Sequence, residues 1–411
     1  MEAAAQILIV LILARAFGEA AERLRQPASV GEIVAGIVLA GILLWFGDGL
    51  PSAANLAASE SLNNVADLGM FCLVLLAGVD MEPKEIADRS GSSLLVAAGG
   101  TAVPLIAGFG LGWLFLPESD LKLAQALLVG VAMSITAIPA VVKMFAEVGA
   151  LHSRVGRTVV SAAIFDDVFG LFLLALILAV IQTGHVPDIT AFAILLAKVV
   201  AFFAITIALG VHVYPRVSRG MKALQAAAFE FSALAAVALA YGLLADALGI
   251  HWILGAFMAG LYFEKSRVGG KAYNEIRLVL GAITMGFLGP IFFLSIGLRV
   301  ELGAITAVPL FLILLIAVAF FGKLVGAGLP ALWVGLDRRE ATAVGIGMSA
   351  RGAVELAVLN IAYHAGLFPT AAADGSVAAY LFSALILMGV VTTLAAPMLL
   401  RRTLGKDPNR Q

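Results

Sequence analysis

The sequence predicts an all-α polytopic membrane protein of about thirteen transmembrane helices, with inverted-topology repeats and two crossed broken helices. Of its 411 residues, 62% are hydrophobic and 13% are charged, and soluble domains carry roughly twice that charged share. The net charge of −1 gives no electrostatic basis for a nucleic-acid partner. The single cysteine, Cys72, excludes an intrachain disulfide and a cysteine-built metal cluster.

Apolar runs long enough to cross a bilayer recur along the whole chain. The first run has no basic region of the kind that precedes a cleavable signal sequence, so we expect it to be the first helix. After Leu400 only the polar tail RRTLGKDPNRQ follows, and no C-terminal regulatory domain is expected. The predicted spans, of which 251–264 is the shortest, are 4–22, 28–47, 61–79, 91–116, 122–147, 157–182, 189–213, 225–248, 251–264, 274–298, 303–333, 341–366 and 376–402.

Basic residues collect in alternate loops between these spans. The intervening loops hold almost none, with Lys122 and Arg299 as exceptions. The positive-inside rule therefore places the N-terminus outside and the C-terminus in the cytoplasm, which requires an odd number of crossings. The basic loop residues are Arg23, Arg25, Lys84, Arg89, Arg154, Arg157, Arg216, Arg219, Lys222, Lys265, Arg267, Lys271, Arg277, Arg338, Arg339, Arg401, Arg402, Lys406 and Arg410.

A short internal repeat links the two halves of the chain. VGVAMSITAIPAVV begins at Val129 and VGIGMSARGAVELA begins at Val344, so that Ser134 aligns with Ser349. The two copies fall on the fifth and twelfth predicted helices, which cross the membrane in opposite directions. This arrangement is typical of inverted-topology repeats.

Both copies carry residues that weaken a helix near the middle of the span. The first contains Thr136 and Pro139, and proline removes a backbone donor and clashes with the preceding turn. The second contains Gly345, Gly347 and Gly352, and each glycine costs about 1 kcal/mol relative to alanine. Glycine in a membrane helix can also serve close packing alone. Matching weak points in both copies favour broken helices that cross near the midplane, where ions bind.

Two adjacent acids, Asp166 and Asp167, lie within the apolar stretch 159–178. Asp166 is expected roughly 14 Å along the helix from Arg157, and a carboxylate at such depth costs a few kcal/mol or more. Adjacent residues differ by about 100° around a helix, so one acid can bind a cation while the other pairs with a base. A purely structural ion pair is the alternative interpretation.

Lys323 is a candidate base, because its predicted depth from the cytoplasmic side, roughly 15 Å, matches that of the acids. Extension of its side chain to the interface is the alternative. Arg351 lies at the second weak point, four residues before Glu355. This spacing allows a local ion pair, but we favour a structural role in which Arg351 donates hydrogen bonds to carbonyls freed by the helix break.

The residues considered so far resemble the membrane domain of the monovalent cation:proton antiporter superfamily, in its Kef-like and Nap-like sodium/proton exchanger branch. The most specific match is SITAIPAVVKMFAEVGALHSRVGRTVVSAAIFDDVFGL. The resemblance covers nearly the whole chain and keeps the family's order of motifs. The matching stretches are 24–41, 68–86, 134–171, 252–261, 289–302, 322–331 and 349–363.

The resemblance implies a homodimer in which a mobile core moves against a dimerisation scaffold. The scaffold would comprise the helices near 1–90 and 189–300, and the core those near 91–182 and 303–402. It also implies that Asp167 binds the ion and that Asp166 pairs with Lys323. Further oxygen ligands for a monovalent cation are expected from Asp166, Thr136 and Ser134, with Pro139, Arg351 and Glu355 shaping the crossing.

The function predicted on this basis is exchange of a monovalent cation, Na⁺ in the first place, for protons by alternating access. The aspartate pair is typical of electrogenic members of the family. A K⁺/H⁺ antiporter or a Kef-like potassium efflux protein is the alternative, and a channel or a sodium-coupled organic-anion symporter is less favoured. Cation preference among Na⁺, Li⁺ and K⁺ is not predicted.

An enzyme is not expected. An intramembrane aspartyl protease needs its acids on different helices, and a serine protease needs a histidine at depth. No cofactor is expected besides the transported cation and protons. The predicted location is the bacterial inner membrane.

Overall fold

The computed structural model describes residues 2–46, 56, 59–80, 91–151, 153–183, 189–213, 229–248, 252–368 and 376–404. The side chains of Asp167 and Pro139 lie outside this description, although their backbones are within helices. Seven of the basic loop residues named above lie outside the described residues: Lys84, Arg89, Arg216, Arg219, Lys222, Lys406 and Arg410.

The described residues are almost entirely helical, and the predicted all-α fold is confirmed. In this part of the chain, seven helices are long and apolar enough to span a membrane, and three further apolar helices are shorter. The α-helices are α1 Glu2–Arg23, α2 Ala28–Phe46, α3 Glu60–Asp80, α4 Gly91–Phe115, α5 Lys122–Ser134, α6 Ile138–Glu147, α7 Arg154–Thr183, α8 Ile189–Ala208, α9 Phe229–Ala247, α10 Ile253–Leu261, α11 Lys265–Val268, α12 Gly270–Ile283, α13 Gly289–Leu298, α14 Ala304–Ala307, α15 Pro309–Trp333, α16 Arg338–Gly347, α17 Ala353–His364 and α18 Leu381–Leu404.

Three of the differences from the predicted spans show local features of the chain. The span predicted at 341–366 begins earlier, at Arg338, because Asp337 and Glu340 form a reciprocal capping box. The span predicted at 274–298 begins at Gly270 and contains a π-helical turn, Thr284–Leu288. The span predicted from 303 starts with the short helix α14 before Pro309 opens α15, a position that suits proline because no intrahelical donor is needed there.

The chain divides into two compact units. The first comprises Met1–Ser59, Arg89–Ile177 and Phe293–Gln411, and the second comprises Glu60–Asp88 and Leu178–Phe292. This division by packing does not test which helices move during transport, so the scaffold and core assigned from the sequence stay predictions.

Helix α4 runs between α5 and α15 in the first unit. Gly99 allows its helix to approach α15 closely, since an added Cβ would lie 2.3 Å from the Gly326 carbonyl oxygen. Gly108 does the same toward α5, where an added Cβ would lie 2.8 Å from the Gly130 Cα. These contacts bring the apolar backbones of three helices together, as small residues do in membrane proteins.

In the second unit, α3 packs against α10. The Tyr273 hydroxyl on α12 donates to the Val79 carbonyl at 2.9 Å. Close by in sequence, Arg277 Nε donates to Asp80 Oδ1 at 2.5 Å. These polar contacts tie the end of α3 to α12.

Candidate ion-binding site at two broken helices

Both helices that carry the internal repeat are interrupted. The first breaks between Ser134 and Ile138, and the second between Gly347 and Ala353. The two breaks meet directly, because the Ala137 N–H donates to the Ala350 carbonyl at 2.9 Å. Each interruption exposes backbone polar groups inside an apolar protein, and the partner interruption supplies part of the hydrogen bonding that they need.

Pro139 follows the first break directly, next to the interruption that its presence in the sequence favours. It lies in the first turn of α6, which begins at Ile138, where the missing N–H of proline leaves no hydrogen bond broken. In the second break, Gly352 lies so close to Ala137 that an added Cβ would lie 2.6 Å from the Ala137 Cβ.

Lys323 and Asp166 form an ion pair beside the breaks. Lys323 Nζ on α15 donates to Asp166 Oδ2 on α7 at 2.8 Å, and both side chains are 0% exposed. Two opposite charges removed from water in this way are tolerated only with good geometry and further hydrogen bonds. The pair as a whole is neutral, and its stability depends on hydrogen bonds with its polar neighbours.

Two threonine hydroxyls complete the surroundings of this ion pair. Thr136, in the first break, accepts a hydrogen bond from Lys323 Nζ at 2.8 Å and donates to the Met348 carbonyl at 2.8 Å. Thr101 on α4 lies 2.5 Å from Asp166 Oδ1 and 2.9 Å from the Ala97 carbonyl. Thr136 thus connects the Lys323 ammonium to the backbone of both breaks.

Thr101 is a site residue that the sequence analysis missed. A threonine inside a helix commonly donates to the carbonyl four residues earlier, and Thr101 lies within reach of that group on Ala97. Thr101 lies in an apolar run of small residues, and nothing in that run indicates a second hydrogen-bond partner. Only the close approach of α4 to α7 reveals the contact.

Asp167 and Ser134 are the remaining predicted oxygen ligands. Asp167 follows Asp166 on α7 and is offset from it by about 100° around the helix; its side chain is not described. Ser134 is buried at the end of α5, where its hydroxyl donates to the Val131 carbonyl of the same helix at 2.8 Å.

Arg351 lies in the second break and reaches the first. Its guanidinium donates to the carbonyls of Ala132 at 2.8 Å, Met133 at 2.6 Å and Ile135 at 2.5 Å. These are carbonyls at the C-terminal end of α5, which lack partners within the helix and carry the negative end of its dipole. The Arg351 side chain therefore caps α5.

Glu355 is buried on α17 and makes no such contact. Within the described part of the chain, neither of its carboxylate oxygens has a hydrogen-bond partner. The local Arg351–Glu355 pair that the sequence spacing allows is not formed as an ion pair, because the guanidinium is directed to α5.

This arrangement can support reversible charge exchange. A carboxylate, an ammonium and two hydroxyls lie together in the buried interior, and carboxylate and hydroxyl oxygens are ligands for hard cations. A cation that approaches Asp166 competes directly with the Lys323 ammonium. The neighbouring helix breaks supply backbone carbonyls of the kind that coordinate ions in transporters.

Comparisons with known proteins agree with this architecture. The Na(+)/H(+)-K(+) antiporter GerN of Bacillus cereus is 28% identical over 401 residues, which cover 97% of this chain and 96% of GerN. The Na(+)/H(+) antiporter NhaS4 of a Synechocystis strain is 27% identical over 405 residues, covering 95% of this chain and 94% of NhaS4. The solved structure of the sodium proton antiporter MjNhaP1 from Methanocaldococcus jannaschii matches with a TM-score of 0.74 at 17% identity, over 99% and 98% of the two chains.

A family model described as "Sodium/hydrogen exchanger, transmembrane" matches residues 7–406. The match covers both halves of the internal repeat and nearly the whole chain. It agrees with the resemblance found in the sequence motifs. The chain belongs to the transmembrane sodium/hydrogen exchanger family.

Proposed function

We propose that this protein exchanges Na⁺ for protons across the membrane by alternating access. The observation that carries the proposal is the completely buried Lys323–Asp166 pair. The Thr136 hydroxyl links this pair to both helix breaks, because it accepts from Lys323 Nζ and donates to the Met348 carbonyl. A buried ion pair contributes little net stability to a fold, whereas ionisable groups at this depth are usually functional.

Competition at one site accounts for the exchange. With no cation bound, the Lys323 ammonium neutralises Asp166 and a proton occupies Asp167. Na⁺ binds to Asp167 and draws Asp166 toward itself, with Thr136 and Ser134 as neutral oxygen ligands. Lys323 then loses its partner, and an ammonium alone in an apolar interior gives up its proton.

This sequence of events releases two protons for each cation. One comes from Asp167 and one from Lys323, so each cycle moves one net charge. Protons and Na⁺ occupy the same groups in turn, and the apparent affinity for Na⁺ should weaken as the pH falls.

K⁺ is the second candidate cation. It is favoured by the name of GerN, which identifies that protein as an Na(+)/H(+)-K(+) antiporter. The ligands proposed here are carboxylate and hydroxyl oxygens, which bind Na⁺, Li⁺ and K⁺ and distinguish them only by fit. A Kef-like efflux role would require K⁺ transport in preference to Na⁺.

The test is cation-dependent dequenching of a pH-sensitive dye in proteoliposomes, scanned across Na⁺, Li⁺ and K⁺. We expect saturable proton movement with Na⁺. A response that follows the membrane potential without saturation would identify a channel instead. Proton movement driven by K⁺ alone would assign the K⁺/H⁺ alternative.

We further propose that the protein acts as a homodimer in the bacterial inner membrane, with its N-terminus outside. The orientation is supported by the basic residues of alternate loops, and the dimer by the family resemblance alone. Accessibility of cysteines introduced at each terminus, measured in intact cells, tests the orientation. Native mass spectrometry from lipid nanodiscs tests the dimer.

A further inference from the structure

A small cavity beside the second helix break is lined by α2, α17, α18 and the connection before α17. Its volume of about 20 Å³ has room for one water molecule. Glu355, Arg351, Ser29 and Thr393 supply its polar lining. Neither Lys323 nor Asp166 is among the residues that line it.

Two buried polar groups at this cavity lack hydrogen-bond partners among the described residues. They are the carboxylate oxygens of Glu355 and the Nε atom of Arg351. The two residues are 1% and 3% exposed, respectively. The Glu355 oxygens face Gly389 on α18, where an added Cβ would lie 3.4 Å and 3.5 Å from them. The residues that line this water-sized space therefore include one with an unsatisfied acceptor and one with an unsatisfied donor.

The charged groups that act on Glu355 are already engaged elsewhere. Among the described residues, those groups are Arg351 and Lys323. Arg351 donates to the α5 carbonyls, whose dipole offsets part of its charge, and Lys323 donates to Asp166 at 2.8 Å. The residues that α2 and α18 contribute to the cavity are all uncharged: Ser29, Val30, Ile33, Ile386, Gly389, Val390 and Thr393.

A carboxylate in this position has lost its hydration and has gained no donor in exchange. Such a charge is costly in an apolar interior, and binding a proton removes it. A cation would be a poor alternative occupant, because the Arg351 guanidinium lines the same cavity and repels it. A protonated carboxyl instead offers one donor and one acceptor to the cavity.

We propose that Glu355 and this cavity form a second proton-binding site, separate from Asp166 and Asp167. Glu355 holds the proton, and one water molecule in the cavity accepts from Arg351 Nε and bonds to the carboxyl group. The site keeps the crossing free of an additional negative charge that would compete with the α5 carbonyls for Arg351.

The test is infrared difference spectroscopy of the full-length protein in lipid nanodiscs during a pH titration. A protonated carboxyl gives a carbonyl stretching band that a carboxylate lacks. We expect one such band to disappear in Glu355→Gln and to shift, without loss, in Glu355→Asp. The matched control is Glu32→Gln, which removes a carboxyl that is 3% exposed but has Arg15 at 3.6 Å; there the Glu355 band should persist.

An unchanged band pattern in folded Glu355→Gln would overturn the proposal. If that variant fails to fold, a carbonyl band at the same position in Glu355→Asp and in the unmodified protein would also overturn the proposal.

A Na⁺ titration of Asp167→Asn, which removes the proposed transport site, distinguishes a proton from a cation as the ligand of Glu355. Persistence of the Glu355 band supports a proton site, and loss of the band would assign a cation site instead. These readouts need no transport, so a failure of the exchange proposal would leave them interpretable.

Discussion

The stability of the site depends strongly on the ion pair between Lys323 and Asp166. Removing one partner of a buried pair commonly costs about 3–5 kcal/mol, because the other charge is left uncompensated. Here the Thr136 hydroxyl contacts Lys323 and the Thr101 hydroxyl contacts Asp166. They give each charge a second hydrogen bond, and they offer oxygen atoms to any ion that separates the pair.

At the residue scale, Asp167→Asn should abolish exchange and leave the protein folded. Asparagine keeps the shape of the side chain but cannot carry the negative charge that a bound cation or proton requires. Dye dequenching in proteoliposomes measures the exchange, and size-exclusion chromatography reports folding. Asp246→Asn on α9, which changes an exposed carboxylate, is the control. Normal exchange with unchanged apparent Na⁺ affinity in Asp167→Asn would remove Asp167 from the site.

Lys323→Gln should make transport electroneutral or abolish it. The substitution leaves Asp166 without its ammonium partner and removes one of the two protons proposed to be released. Lys198→Gln is a matched control, because Lys198 also lies in an apolar helix but is exposed, and it should behave like the unmodified protein. Sodium-driven proton flux under an imposed membrane potential measures the effect. Potential-dependent exchange that survives in Lys323→Gln contradicts the proposed role.

Part of this geometry could be predicted from the sequence. Sequence reasoning placed Asp166 and Lys323 at matching depth, and they lie 2.8 Å apart. It could not find Thr101, because that contact depends on how closely α4 approaches its neighbours. Nor could it tell that the Glu355 carboxylate stays apart from Arg351, since helical spacing permits that pair and only the competing α5 carbonyls decide against it.

At the element scale, most helices could be predicted from apolar length, and both interruptions from proline and glycine. The register of the breaks could not. Pro139 lies in the first turn of α6, which begins at Ile138, and the early start at Arg338 depends on a capping box. The break geometry is set by contact between distant segments, which no local pattern encodes.

Gly352→Ala should reduce exchange and destabilise the fold, by about 1–3 kcal/mol for an overpacked site. The added methyl group would overlap the Ala137 Cβ at 2.6 Å and push the two breaks apart. Thermal unfolding in detergent and dye dequenching measure the two effects. Gly110→Ala on α4 is the control, because an added Cβ there meets nothing within 4 Å and should stabilise the helix slightly.

The double variant Ala137→Gly with Gly352→Ala sharpens this test. Removing the Ala137 methyl group removes the overlap, so the double variant should recover exchange relative to Gly352→Ala alone. A Gly352→Ala protein with the stability and exchange rate of the unmodified chain would show that the close approach of the breaks is dispensable.

At the scale of the whole molecule, alternating access requires the proposed core to move against the proposed scaffold while carrying the ion. A disulfide between cysteines introduced on opposite sides of that boundary should therefore stop transport. Cys72 is the single native cysteine and is replaced by serine first, with exchange by that background as the reference. Reduction of the cross-link should restore transport. Full turnover with the link intact would rule out the relative motion.

The two-for-one stoichiometry predicts that the exchange moves charge and so responds to the membrane potential. Na⁺ carries one positive charge in one direction while two protons carry two in the other. A potential that favours net positive flow along the proton path should accelerate exchange, and the opposite potential should slow it. The measurement clamps the vesicle potential with a potassium gradient and valinomycin while sodium-driven proton flux is followed. A rate indifferent to the imposed potential would contradict release of a proton from Lys323 and leave Asp167 as the exchanging group of an electroneutral antiporter.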